Sequence, residues 1–405
     1  MGHEVYLDNN ATTRVLPEVA EAMLPFLTAQ YGNPSSIHRF GSAVGEQLAR
    51  AREQVADLAG AADPIEIVFT SCGTEGDNAA IRGMLEARPD KRHIVTTQVE
   101  HPAVLSLCQH LEKRGYRLTW LKVDENGGLD LEELRSALTD DTALVSVMWA
   151  NNETGVIFPV EQIGAIVKAK DIPFHVDAVQ AAGKLHLNVK DLPIDLMTIS
   201  GHKFYAPKGV GALYVKRGLT FPPFMIGGHQ ERNRRGGTEN VAGIIGMGAA
   251  AEIAASRIAS DATRITKLRD QLEALLLSSC PGSRVNGGTQ KRLPNTCNMS
   301  FRYLEGESIL VLLDQQGICA STGSACTAGS SEPSHVLRAM KVPPDWLQGA
   351  VRFSLGRFNT EKEIDYVNEK MPSIVQRLEG LSSLGRLGGQ RAEEPSGGAT
   401  MRARG

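Results

Sequence analysis

The chain has 405 residues, with 43 Lys and Arg against 46 Asp and Glu, a formal net charge of −3. That length is enough for a large core and for two packed domains, and the balanced charge leaves no electrostatic footprint for nucleic acid or an acidic membrane. No run approaches the roughly 18 unbroken apolar residues of a membrane helix, and Met1 to Val5 lacks the basic and apolar pattern of a secretion signal, so a cytoplasmic protein with no membrane partner is expected.

In chain order, the short apolar runs Ile65 to Thr70, His93 to Thr97, Arg117 to Leu121, Thr142 to Trp149, Phe174 to Val176, Leu196 to Ile199 and Gly209 to Val215 read as strands. Amphipathic stretches separate most of them, at Glu75 to Glu86, Ala103 to Lys113, Asp130 to Ala137 and Val160 to Lys168. Such alternation predicts an α/β fold, a mostly parallel sheet covered on both faces, with ligands at the carboxyl ends of the strands. A long helical region from about Asn240 to Ser279 follows. Strands at Asn298 to Phe301 and Val351 to Ser354, with helices at Glu307 to Gln315 and Thr360 to Glu379, then predict a smaller α+β domain. The expected division is an arm over 1–14 that joins the small domain, a large domain over 15–255, a small one over 256–380, and a disordered tail over 381–405, rich in Gly, Arg and Ser.

Lys203 ends Ser200-Gly201-His202-Lys203, directly after an apolar strand. A lysine there is costly to keep charged, and desolvation lowers its pKa until the amine can attack a carbonyl. Pyridoxal phosphate needs such a lysine, and it needs a carboxylate at its ring nitrogen, which Asp177 at the end of another strand can supply. Ser71-Cys72-Gly73-Thr74-Glu75 joins a strand to a helix; its small residues can admit a phosphate to the free amides, although Thr74 serves equally as a helix cap. Ser200 and His202 flank the lysine and can hold the same phosphate. His101 follows a strand and either stacks on the cofactor ring and moves protons or is structural. Asn152, in the polar turn Asn151 to Gly155, can bind a substrate carboxylate or the cofactor's phenolic oxygen.

Six cysteines stand at 72, 108, 280, 297, 319 and 326, too far apart for zinc or iron–sulfur spacing, so no resident metal is expected. Cys326 lies among small residues in Ser324-Ala325-Cys326-Thr327-Ala328-Gly329, unlike a packed core cysteine; on an open loop it is either a thiol that reaches a site or an inert one. Gly246-Met247-Gly248-Ala249-Ala250-Ala251 imitates a dinucleotide fingerprint, but it lies inside a helical stretch without the preceding strand.

These motifs, with Tyr6 to Thr13, Tyr31 to Ser36, Asp177-Ala178-Val179-Gln180 and Arg235-Gly236-Gly237-Thr238-Glu239-Asn240, resemble those of the cysteine desulfurases. These are pyridoxal phosphate enzymes of transferase fold type I, the aspartate aminotransferase type. The resemblance runs to about Gln376 and inclines to the nitrogen-fixation type, because the tail from Gly385 does not look like the housekeeping ending. It implies that Lys203 carries the cofactor as a Schiff base and acts as the base, that Asp177 pairs with the ring nitrogen, that Gln180 bonds the phenolic oxygen and that His101 stacks on the ring. It implies phosphate contacts from Gly73, Thr74, Ser200 and His202, with Thr238 from a second subunit of a homodimer, and a substrate carboxylate held by Asn152 and Arg352. Cys326 would take sulfur from L-cysteine as a persulfide, leaving L-alanine, and pass it to an iron–sulfur scaffold protein, with nitrogenase the expected beneficiary, or ligate a nascent cluster there. The rival readings are selenocysteine lyase, cysteine sulfinate desulfinase, an aminotransferase, and a sulfur-carrier binding protein without catalysis. Cys72 stands where relatives often carry glycine.

Overall fold

The computed structural model describes residues 4–288, 290–323 and 333–381. Cys326 and the tail therefore lie outside the described residues.

The strands are β1 (Val5–Tyr6), β2 (Ile67–Thr70), β3 (His93–Thr97), β4 (Arg117–Leu121), β5 (Thr142–Met148), β6 (Phe174–Asp177), β7 (Leu196–Ser200), β8 (Gly211–Val215), β9 (Ser283–Val285), β10 (Thr296–Phe301), β11 (Ile318–Cys319) and β12 (Ala350–Ser354). The helices are α1 (Pro17–Thr28), α2 (Arg39–Ala59), α3 (Gly73–Ala87), α4 (Pro102–Glu112), α5 (Leu131–Ala137), α6 (Val160–Lys168), the short α7 (Gln230–Asn233), α8 (Val241–Ser279), α9 (Gly306–Asp314), α10 (His335–Ala339), α11 (Pro344–Leu347) and α12 (Glu361–Leu381).

Seven strands form the main sheet in the order β2-β8-β7-β6-β5-β3-β4. β4, β3, β5, β6 and β7 run parallel, while β8 runs antiparallel to both β7 and β2. All residues of β3, β5, β6 and β7 are buried, as expected for strands covered on both faces. The strand order reverses between β3 and β5, and this switch opens a crevice at the carboxyl ends of the strands. His101 follows β3, Asn152 follows β5, Asp177 ends β6, and Lys203 closes the turn after β7, so all four reach that edge.

A smaller antiparallel sheet, β12-β10-β9, packs with α9 and α12. The N-terminal arm joins this unit: Val5 pairs with Ile318, Tyr6 with Cys319, and Asp8 bridges Ser354. Helix α8 spans both bodies. Its residues up to Ala254 bury in the core under the main sheet, and those from Ile265 bury with Val5, Leu7, Phe301 and Phe353. Val336, Leu337, Met340, Val342 and Ala350 return from late in the chain to the main core.

Candidate active site

A cavity of about 370 Å³ opens at the strand ends. Its lining brings together Gly73, Thr74, His101, Asn152, Asp177, Gln180, Ser200, His202, Lys203 and Arg352. Thr238 is exposed and stands apart from that lining.

Register sets the floor. Asp177 on β6 lies beside Thr198 on β7, so Asp177 and the Ser200 to Lys203 turn emerge next to each other. The Asp177 carboxylate accepts from the Val179 amide at 2.9 Å. Burial pushes its pKa up to about 6, against the pull of that amide and of Lys203. The Lys203 ammonium donates to the carbonyl oxygens of Asn10 at 2.6 Å and Ala11 at 2.8 Å, so the arm holds the lysine before any ligand arrives. His101 caps α4, its Nδ1 accepting from the Ala103 amide at 3.2 Å. Burial, with the positive fields of Lys203 and His335, lowers its pKa to about 4, which keeps the imidazole neutral.

The phosphate end is the N-terminus of α3. Gly73 keeps that turn open: a Cβ would come within 2.8 Å of the Val179 side chain, which would have to shift. Glu75 accepts from the Ser71 amide at 2.8 Å and from Arg235 at 2.9 Å, which braces the loop from below. The buried hydroxyl of Ser200 has no partner among the described residues. His202 contacts Thr12 at 3.2 Å, and burial lowers its pKa to about 4.

Arg352 rises from β12 at the opposite wall. Its Nη2 pairs with Asp8 at 2.9 Å and its Nη1 donates to the Asn152 carbonyl at 2.9 Å, while the buried Nε has no partner among the described residues. Gln180 donates to the Asn10 carbonyl at 3.0 Å and accepts from Lys184 at 2.8 Å. The two bonds fix the amide's orientation, Nε2 toward Asn10 and Oε1 toward Lys184.

Three buried acids were not anticipated. Asp77, one turn into α3, lines the cavity, and its carboxyl is pushed well above the usual range by burial and by Asp177. Its neighbour His175, 3.6 Å away, is lowered to about 3 by burial, so both are held toward their neutral forms and make no ion pair. Glu100 accepts from Thr97 Oγ1 at 2.7 Å and the Met148 amide at 3.1 Å, and burial raises it to about 8. Glu153 is the third. The helical spacing from Gly73 to Asp77 could have revealed the first of them.

The aminotransferase class-V description matches residues 5–367. The chain belongs to that family. Cysteine desulfurase of Trichormus azollae is 61% identical over 378 residues, covering 93% of this chain and 94% of that one. Cysteine desulfurase NifS of Azotobacter vinelandii is 54% identical over 379 residues, 94% of each. Among solved structures, a protein titled NIFS-LIKE PROTEIN superposes with a TM-score of 0.87 at 41% identity, covering 93% of this chain and all of that one. Fold type I and the cysteine desulfurase character of the chain agree with these likenesses.

Proposed function

We propose that the chain is a cysteine desulfurase using pyridoxal phosphate, which moves the sulfur of L-cysteine to Cys326 and releases L-alanine. One observation carries it: Lys203, Asp177, His101 and Arg352 share one cavity with Gly323, three residues before Cys326. The residues fit the cofactor. The orphaned Ser200 hydroxyl and the α3 N-terminus suit a phosphate, and Asp177 stands beside the lysine's turn where a ring nitrogen needs an acid.

Bound there, pyridoxal phosphate supplies an electron sink for the substrate's α-carbon. The chain's own residues do the rest. Arg352, held in plane by Asp8 and the Asn152 carbonyl, offers its Nε to the substrate carboxylate. Lys203 takes the α proton as a base and can return it. The thiol proton is assigned to His101, whose Nδ1 must leave the Ala103 amide to take it. The Cys326 sulfur then bonds to the substrate sulfur, the carbon–sulfur pair stays with the carbon, and that carbon takes a proton to become the alanine methyl group.

We read the chain further as a cytoplasmic homodimer that hands its persulfide to an iron–sulfur scaffold protein, nitrogenase being the destination. The likeness to the Azotobacter protein supports that direction. The dimer is supported by Thr238 standing outside its own cavity, with exposed Phe224, Met225 and Ile226 beside it; Gly236 donates to the Met225 carbonyl at 2.8 Å. The division at 14, 255 and 380 is part of the same reading.

The test is to incubate purified protein with L-cysteine and measure alanine and sulfide together. Equal yields, with a persulfide on the Cys326 peptide before a reductant is added, are expected. Pyruvate or a keto acid in place of alanine would point to an aminotransferase or another lyase.

A further inference from the structure

Glu153 takes no part in the steps above, yet it is only 1% exposed. A carboxyl group is expensive to bury, so its retention calls for partners. Its backbone is fixed first: Asn151 Oδ1 accepts from the amides of Glu153 at 2.9 Å and Thr154 at 3.0 Å, and Asn298 donates to the Glu153 carbonyl at 3.2 Å. The carboxylate then meets two other parts of the chain. Ser334 Oγ donates to Oε2 at 2.5 Å while accepting from the Leu337 amide at 3.1 Å as the cap of α10. Gly323 packs its backbone directly on the same oxygen, where a Cβ would overlap the carboxylate.

Gly323 and Ser334 flank the segment 324–332, which contains Cys326. Each root has a second tie into the active site. Ser321 exchanges two backbone bonds with Arg352, at 3.2 and 2.6 Å, and His335 Nε2 contacts the Glu100 carbonyl at 2.9 Å. Burial raises the Glu153 carboxyl, and Ser334, His335 and Arg352 draw it back.

We propose that Glu153 is a positioning residue that pins both roots of the Cys326 segment to one point at the rim of the cavity. Holding Gly323 and Ser334 at one carboxylate fixes the two points from which the chain leaves for Cys326 and returns, both at the rim of the cavity that holds Lys203. The pinning stands on the described residues alone. Its effect on catalysis rests on Cys326 being the sulfur acceptor.

The full chain without cofactor is treated with iodoacetamide, and the labelling rate of Cys326 is followed by peptide mass spectrometry, with Cys72 and Cys319 as internal controls for general opening. Glu153→Ala and Ser334→Ala should each change the Cys326 rate at least about fivefold, and the double variant should add little to either, as residues sharing one interaction do. Glu153→Gln keeps an acceptor for Ser334 and should restore most of the effect. With cofactor and L-cysteine, the alanine variants should keep KM and lose kcat, since the substrate's own contacts are untouched. An unchanged Cys326 rate overturns the proposal, as does a double variant whose two effects simply multiply. If Glu153→Ala does not fold, Ser334→Ala alone decides by the same rate. A changed labelling rate with unaltered alanine production overturns the catalytic role given to the pinning, whereas failure of Cys326 as acceptor is read separately, from sulfur release by Cys326→Ala.

Discussion

On the floor of the cavity, Asp177, Ser200 and Lys203 leave the ends of two adjacent strands, whereas on the opposite wall Asp8, Asn152 and Arg352 come from segments as much as 344 residues apart. The floor is positioned by backbone register, which no single side chain controls. The wall is positioned by side-chain bonds, each of which one substitution removes. Floor variants should therefore alter chemistry in place, and wall variants should alter binding geometry.

The largest effect is expected on the floor. Lys203→Ala should lower alanine formation by roughly 10⁴-fold, the upper range for loss of a positioned acid–base group. The variant should also fail to trap cofactor on borohydride reduction; a reduced label on any other lysine peptide would break the assignment. Cys326→Ala tests the link between the two regions. The variant should still change its visible spectrum on adding L-cysteine, while alanine and persulfide fall to background. Persistent sulfur release at the wild-type rate would make Cys326 a bystander.

At the wall, Arg352→Ala should raise KM for cysteine, with a loss of roughly 2 to 5 kcal/mol in kcat/KM for a truncated charge pair. An unchanged KM would assign the carboxylate to another group.

The smallest effect concerns stability, and pH gives it a sign. The Asp177 pKa is raised to about 6 in the folded chain, from 3.8, so the fold binds this proton more tightly than the unfolded chain does. Acid therefore favours the fold here: the cost of the buried charge is fully present above pH 6 and fades as pH falls through 6 toward 3.8. Asp177→Asn removes that charge and relieves Asp77 and Glu100, so the cofactor-free variant should gain up to about 3 kcal/mol at pH 8 and almost nothing at pH 4. Urea titrations at the two pH values measure this. A gain that does not depend on pH would contradict the shifted carboxyl.

The floor was legible in the sequence and the wall was less so. His93–Thr97, Arg117–Leu121 and Val160–Lys168 have the bounds expected from their apolar patterns, because polar or Gly-containing turns delimit them. Lys203, Asp177 and His101 stood out as polar groups ending apolar runs, an arrangement that packing alone does not favour. α1 and α2 were not read: α1 carries Pro25 inside, whereas α2 was a plain omission, since Val44, Leu48, Ala51, Val55 and Leu58 recur at helical spacing on its buried face. The reversal of β8 leaves no local mark, since a strand's pattern is the same in either direction. Arg352 and Thr238 were named only through resemblance. The contact of Glu153 with Ser334 spans 181 positions, and no spacing rule reaches so far. Gln180 too was named only through resemblance, and Lys184, four positions on and bonded to it, was within reach of the sequence and was missed.

The arm at Val5 to Thr13 bears on how the protein is born. Val5 pairs with Ile318, the Asn9 amide bonds the Ser354 carbonyl, and the Asn9 side chain contacts Asn359. These residues are synthesised long before Ile318, Ser354 and Asn359, and they cannot dock until those partners exist. Contacts of such long sequence separation form late and slowly. Because the carbonyls that hold Lys203 belong to this arm, the main sheet can be complete while its lysine is still without them. A nascent chain arrested before residue 318 should bury the strands of the main sheet and yet have no finished seat for its cofactor.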